Sequence, residues 1–130
     1  MKIGDKHRIN IVVSENDTAK VFGSGTLCVL ATPKMVALME EAAYKCIEPS
    51  LEEGQSSVGT CLEIKHLAAT PVGLNVYAEA EITEIDGRRV VFNVSAYDEK
   101  GIIGSGKHER FIVFSEKFVA KTYSKLDKNA

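Results

Sequence analysis

Residues 32–47, TPKMVALMEEAAYKCI, decide the fold, because they form the one long segment of this chain with the pattern of a helix. Threonine is a common N-cap and proline suits the first helical position. We therefore predict that Thr32 caps the helix and that Pro33 opens it. The helix is expected to end at about Ile47, since Pro49 disfavours helical geometry at the residue before it.

The segments around this helix have the pattern of β-strands. Residues 7–13 are predicted to form a short first strand, and a loop at 51–57 is expected after the helix. Apolar and polar residues then alternate along four segments, 58–66, 74–82, 90–96 and 102–115, with turns at Asp86-Gly87 and Lys100-Gly101. Gly104 and Gly106 in the last segment indicate a bulge or a close approach. One helix followed by an antiparallel meander predicts an α+β hotdog fold. One long helix would be wrapped by a curved antiparallel sheet of five or six strands, in a single domain spanning residues 1–130.

The composition is that of a globular protein without a polyanionic or membrane partner. Lysine and arginine number 16 against 18 acidic residues, and the resulting net charge of −2 predicts no attraction to nucleic acid or to membrane surfaces. No apolar run approaches the roughly 20 residues of a membrane span, and residues 1–13 do not resemble a signal peptide. A cytoplasmic location is therefore expected.

Cysteine and histidine are scattered rather than clustered. Cys28, Cys46 and Cys61 are an odd number without a CxxC pair, which predicts neither disulfides nor a metal site. Cys46 and Cys61 lie in apolar segments and are interpreted as small core residues. We expect no metal and no cofactor.

The helix carries a glutamate on its apolar face. Glu41 shares a polar face with Lys45, four residues on, whereas Glu40 projects onto the same side as four apolar residues, Val36, Met39, Ala43 and Ile47. A buried carboxylate without a partner costs several kcal/mol, and such costs are concentrated at functional sites. Two readings of Glu40 remain open. It is either a functional acid, or it lies at the edge of the apolar face, where it reaches solvent or pairs with a residue across the sheet.

Three further positions are candidates for a site. His66 is predicted to point inward from the second strand. It is either a core residue or a proton-transfer group that faces Glu40, within one subunit or across a dimer contact. The Thr32 hydroxyl lies beside the helix N-terminus, which favours developing negative charge. Gly59 lacks a side chain and therefore allows a ligand to approach its backbone amide.

Three segments resemble the fluoroacetyl-CoA thioesterase family of hotdog proteins. They are VLATPKMVALMEEAA (residues 29–43), SSVGTCLEIKHLAATPVGL (56–74) and IGSGKHERFIVFSEKF (103–118). The resemblance extends from about residue 29 to residue 121, and its most specific stretches are HLAATPVG and GSGKHER. One departure concerns the segment before the helix, which is long and rich in aromatic residues in the fluoroacetyl-specific enzyme. Here residues 22–30, FGSGTLCVL, contain one aromatic residue.

The resemblance implies a role for each candidate residue. It assigns Thr32, Glu40 and His66 as the catalytic group, Gly59 as a backbone amide near the thioester, and Arg110 as a neighbour of the acyl pocket. It also implies a homodimer with active sites at the subunit boundary and CoA as the leaving group. The short segment before the helix favours another short acyl group over fluoroacetyl.

We therefore expect a thioesterase that hydrolyses a short-chain acyl-CoA. Either Thr32 attacks directly or it positions the nucleophile. The alternatives are a non-catalytic acyl-CoA-binding module, a dehydratase or hydratase of the same fold, and a purely structural dimer.

Overall fold

The computed structural model describes residues 1–127 and contains three α-helices and five strands within that range. The helices are α1 (Ala19–Phe22), α2 (Thr32–Ile47) and α3 (Ser115–Tyr123). The strands are β1 (Lys6–Val12), β2 (Gln55–His66), β3 (Asn75–Asp86), β4 (Arg89–Asp98) and β5 (Gly101–Phe114). Short 3₁₀ turns cover Glu15–Asp17, Glu48–Ser50 and Ser124–Leu126.

The five strands form one antiparallel sheet in the order β1-β3-β4-β5-β2. The turn predicted at Asp86-Gly87 joins β3 to β4, and Gly87 has a φ of 60° there, a conformation that glycine adopts without strain. Among the described residues, β2 lies at the edge of the sheet and pairs on one side only, with β5. A long strand thus presents unpaired backbone groups on its other side.

The core lies between the sheet and α2. Met35, Leu38, Met39, Ala42 and Ile47 of α2 are buried against β3, β4 and β5 side chains, with Phe92 of β4 fully buried among them. Burying side chains of this size contributes roughly 1.5–3 kcal/mol each. One long helix against a curved five-stranded sheet is the predicted architecture. No helix within residues 1–127 is long and apolar enough to cross a membrane.

Three sequence predictions need correction, and one segment that the pattern left open contains a helix. Ala31, not Thr32, is the N-cap of α2, and Thr32 is its first helical residue. β2 begins at Gln55, so the loop before it is shorter than predicted. The tail, which the pattern left undetermined, begins with α3, whose side chains are largely exposed. Cys61 is only partly buried, and Cys46 is a partly buried neighbour of the core.

The prediction that alternate residues of β2 point inward, toward the core, is also only partly correct. Ile64 packs against the core, but Leu62 of the same parity is 40% exposed. β2 is an edge strand, and its register with β5 shifts between Gly59 and Cys61, which interrupts the alternation.

The close approach predicted at Gly104 and Gly106 is confirmed. A Cβ on Gly104 would lie 2.6 Å from Met35 Sδ, and a Cβ on Gly106 would lie 2.0 Å from the backbone oxygen of Glu63.

Candidate active site

The first element of the site joins the start of α2 to the end of β2. Thr32 is the first residue of the helix and His66 the last residue of the strand, and Thr32 Oγ1 lies 2.7 Å from His66 Nδ1. Because Ala31 takes the N-cap position, the Thr32 hydroxyl is free to meet the imidazole. A hydroxyl within 2.6–3.2 Å of a base is the arrangement of an activated nucleophile.

His66 is held as a neutral base. Burial lowers the pKa of the imidazole below its ordinary value of 6.5. Its Nε2 atom is buried and has no hydrogen-bond partner within the described residues. In the tautomer with the proton on Nε2, Nδ1 accepts the hydrogen bond of the Thr32 hydroxyl.

A second cluster forms farther along the helix, around Glu40. Arg110 Nη1 of β5 lies 3.7 Å from Glu40 Oε2. Glu40 Oε2 also lies above Gly59, where a Cβ would come within 2.8 Å of it. Gly59 is paired with Arg110 across the β2–β5 ladder. Glu40 and Gly59, which the sequence pattern singled out, thus meet Arg110, which the resemblance implied.

Glu40 is not a buried carboxylate without a partner, which corrects the sequence interpretation. Its side chain is 36% exposed, and Arg110 supplies the basic partner from across the sheet. The buried stripe of α2 is centred on Met35, Leu38 and Met39, so Glu40 lies at the flank of this stripe rather than in it. Glu40 therefore has the geometry of the second reading, in which it lies at the edge of the apolar face and pairs with a residue across the sheet.

The Arg110 guanidinium is buried and held on three sides. Its Nε donates to Ser57 Oγ at 2.8 Å and its Nη2 donates to the Ser57 carbonyl oxygen at 2.9 Å. Its Nη1 lies 3.1 Å from Nε2 of His108, which is fully buried. Burial lowers the pKa of Arg110 and the charge of Glu40 opposes this change, but a guanidinium stays protonated.

Two clefts lie beside these clusters. One of about 370 Å³ is lined by Ala19, Ser24, Thr32, His66 and Leu67, among others. The other, of about 390 Å³, is lined by Tyr44, Glu48, Leu51, Ser57 and Arg110, among others. Each cluster therefore has its own solvent-reachable space.

The two clusters lie apart within one chain. Thr32 and Glu40 are eight residues apart on α2, a rise of about 12 Å. Gly59 and His66 are seven residues apart on β2, about 23 Å along an extended strand. The hydrogen bonds and ion pairs of the described residues join Thr32 to His66 and Glu40 to Arg110, but none joins His66 to Glu40.

Replacing Gly59 tests the close approach to Glu40. In Gly59→Ala the new methyl group collides with the Glu40 carboxylate, which is the far end of a flexible side chain and moves away. We expect catalytic turnover per folded molecule to fall about 10- to 100-fold, and the thermal unfolding midpoint to fall as well, because the methyl group also lies 3.2 Å from Cε1 of the buried His108. Steady-state kinetics and thermal unfolding check this, with Thr60→Ala as the control on the same strand. Full activity of Gly59→Ala would contradict it.

Comparisons with known proteins identify the family of this chain. A family model described as fluoroacetyl-CoA-specific thioesterase matches residues 13–116. The chain is 47% identical over 97 residues to the fluoroacetyl-CoA thioesterase of Streptantibioticus cattleyicolor, covering 75% of this chain and 70% of that protein. The chain belongs to the fluoroacetyl-CoA-specific thioesterase family.

Solved structures support the same assignment. A structure of the fluoroacetyl-CoA thioesterase superimposes with a TM-score of 0.92 at 39% identity, covering 96% of this chain and 97% of that one. A thioesterase superfamily member from Thermus thermophilus gives a TM-score of 0.88 at 34% identity, covering 98% and 94% of the two chains. A hot-dog-like protein from Thermanaerovibrio acidaminovorans gives 0.88 at 25% identity, covering 96% and 93%.

Membership of the fluoroacetyl-CoA-specific thioesterase family confirms two predictions, the hotdog fold and the thioesterase activity. The roles of the individual site residues stay predictions. His108 is the residue that sequence reasoning missed. Its signal was its position two residues before Arg110 on the last strand, which places both side chains on the same face.

Proposed function

We propose that this thioesterase hydrolyses a short-chain acyl-CoA to the free acid and CoA, in the cytoplasm. The Thr32–His66 hydrogen bond beside an open cleft, in a chain of this family, carries the proposal. Variants of the related fluoroacetyl-CoA thioesterase have been solved in complex with fluoroacetate and CoA and with acetyl-CoA. These ligands support a short acyl group on CoA as the substrate class.

The chemistry at Thr32 and His66 follows from their hydrogen bond. In one route Thr32 Oγ1 attacks the thioester carbonyl and its proton passes to His66 Nδ1. The carbon–sulfur bond then breaks, the CoA sulfur takes the proton, and water hydrolyses the acyl-threonine ester. In the other route Thr32 positions a water molecule, which attacks as His66 takes its proton. Neither route requires a metal or prosthetic group, since the thioester and water supply all the atoms.

We further propose that the working unit is a homodimer in which β2 pairs with β2 of a second copy. β2 is a long edge strand without proline, the kind of edge that pairs readily with another strand. A two-fold antiparallel pairing places residues symmetrically about its centre. With the centre between Leu62 and Glu63, His66 of one copy lies opposite Gly59 of the other.

Such a pairing completes the site. Neighbouring strands lie about 4.8 Å apart, so the Glu40 carboxylate above Gly59 comes within reach of the second copy's cleft at Thr32 and His66. Glu40 then orients His66 or activates water, and the Gly59 amide stabilises the oxyanion. One such donor typically contributes about 10²–10³ in rate. Arg110 holds Glu40 and borders the acyl pocket.

The test of the function is release of free thiol from a panel of short acyl-CoAs of increasing chain length. We expect turnover with at least one of them, and the preferred length identifies the acyl group. Tight binding of the acyl-CoAs without thiol release would instead identify the non-catalytic binding module. Fluoroacetyl-CoA belongs in the panel because the segment before the helix differs from that of the fluoroacetyl-specific enzyme.

Mixing two inactive variants tests the shared site. His66→Ala and Glu40→Gln each leave every site of their own homodimer incomplete. When subunits exchange at equal amounts, half of the dimers are mixed, and each mixed dimer has one intact site. We expect thiol release to recover to about a quarter of the native rate. If each site lies within one subunit, mixing restores nothing. Size-exclusion chromatography with light scattering checks that both variants dimerise.

A further inference from the structure

We propose that His108 is a positioning residue for the thioesterase reaction, which aims the Arg110 guanidinium at Glu40. This inference deepens the proposed function and rests on it, because it assumes that Glu40 takes part in hydrolysis. His108 lies on β5, is fully buried, and faces the second cluster rather than the hydrogen bond between Thr32 and His66.

The hydrogen bonds of His108 define its tautomer. Nδ1 lies 2.9 Å from the carbonyl oxygen of Cys61, which can only accept, so Nδ1 carries the proton and donates it. Nε2 lies 3.1 Å from Arg110 Nη1, which can only donate, so Nε2 is the acceptor. A neutral imidazole with its proton on Nδ1 satisfies both contacts at once. Burial first, and the charge of Arg110 with it, lowers the pKa of His108.

Arg110 Nη1 links His108 to the site. Ser57 holds the Nε and Nη2 atoms of Arg110 from the other side. Nη1 is the nitrogen that lies 3.7 Å from Glu40 Oε2, and His108 is the side chain that fixes it. Without the acceptor at His108 Nε2, Arg110 Nη1 loses a hydrogen bond that holds it in place. The Glu40 carboxylate then no longer has a fixed cation beside it. Gly59 lies under the same cluster, since a Cβ there would be 3.2 Å from His108 Cε1.

His108 also makes a packing contact, which both amide substitutions (asparagine and glutamine) remove alike. Its ring stacks on Phe92 with centroids 6.0 Å apart and planes 25° apart, and Phe92 belongs to the core. Because both variants lose the ring, the difference between them reports on the hydrogen bonds and not on the core. Asparagine and glutamine at position 108 place their amide groups at different distances from the backbone and therefore separate the two hydrogen bonds of His108. Asparagine keeps a donor near Nδ1 for the Cys61 carbonyl, whereas glutamine places an acceptor near Nε2 for Arg110.

The experiment compares His108→Asn with His108→Gln by steady-state thiol release from the best acyl-CoA substrate. We expect His108→Asn to lower kcat by about 10- to 100-fold with KM nearly unchanged, and His108→Gln to recover most of the native kcat. Activities are referred to the folded fraction from thermal unfolding. Equal kcat in both variants and the native protein would overturn the proposal. So would losses that follow the folded fraction alone.

A second measurement needs no turnover. Nitrogen-15 NMR of the imidazole in the native protein is expected to show protonated Nδ1 and unprotonated Nε2 at His108, and the Nε2 signal to shift in Arg110→Lys. A ring protonated on Nε2 would overturn the proposal. If the native protein releases no thiol, the proposed function fails, while this measurement still decides whether His108 holds Arg110.

Discussion

His66→Ala is expected to lower kcat for thiol release by about 10²–10⁴, the usual contribution of a positioned acid–base group. The imidazole is the only group within the described residues that hydrogen-bonds the Thr32 hydroxyl, so its loss leaves the hydroxyl without a base. The fold should tolerate the change, because His66 ends an edge strand and its Nε2 has no partner to lose within that part of the chain.

His7→Ala is the matched control. His7 lies on β1 at the opposite edge of the sheet and is also partly buried, so the same side chain is removed from a similar setting away from the site. We expect its kcat to match that of the native protein. Equal losses in the two variants would indicate a general effect on the sheet and would contradict a catalytic role for His66.

The native pH profile extends this prediction. Only the neutral imidazole accepts the Thr32 proton, so kcat/KM must fall as pH falls through the pKa of His66. Burial lowers that pKa within one subunit, whereas the Glu40 carboxylate of the second copy in the proposed dimer raises it. The sign for stability is the same. A histidine whose folded pKa is lowered stabilises the fold above the unfolded pKa and loses that contribution as pH falls. A kcat/KM that does not fall as the solution is made more acidic would contradict this reading of His66.

Local patterns explain why the main helix and the inward histidine could be predicted from the sequence. The helix bounds depend on Pro33, Pro49 and the apolar spacing between them, all of which are short-range features. The inward parity of His66 follows from alternation within one strand. The resemblance placed Gly59 and Arg110, which meet in the structure.

Long-range pairing explains what the sequence could not predict. The contact of His108 with Arg110 and Cys61 depends on the register of β5 against β2, including the shift beside Gly59. Glu40 lies at the flank of the buried stripe because of how α2 is rotated on the sheet, and a projection of one helix does not determine that rotation. α3 buries no side chain, and its apolar residues Phe118, Val119 and Tyr123 are exposed, so no contact with the core marks this segment.

Gly106→Ala is expected to destabilise the fold by about 3 kcal/mol or more, a large part of the 5–15 kcal/mol typical of a domain. A Cβ at this position would lie 2.0 Å from the backbone oxygen of Glu63 and 2.9 Å from the Cα of Ile64. Both atoms belong to β2, and a backbone cannot rotate away as a side chain does. The substitution must therefore push β2 from β5 beside the residues that carry the site.

Two neighbouring variants give the comparison that isolates the cause. In Gly104→Ala the new methyl group meets mainly Met35 Sδ, at 2.6 Å, and a flexible methionine can move, so a smaller loss is expected. Ser105→Ala adds no atom and should unfold at the native urea concentration. In urea denaturation followed by circular dichroism, the midpoint should be highest for Ser105→Ala, lower for Gly104→Ala and lowest for Gly106→Ala. A native midpoint in Gly106→Ala would mean that β2 and β5 are not in close contact there. The register that pairs Gly59 with Arg110 runs along the same ladder, so the geometry of the Glu40 cluster would then be wrong as well.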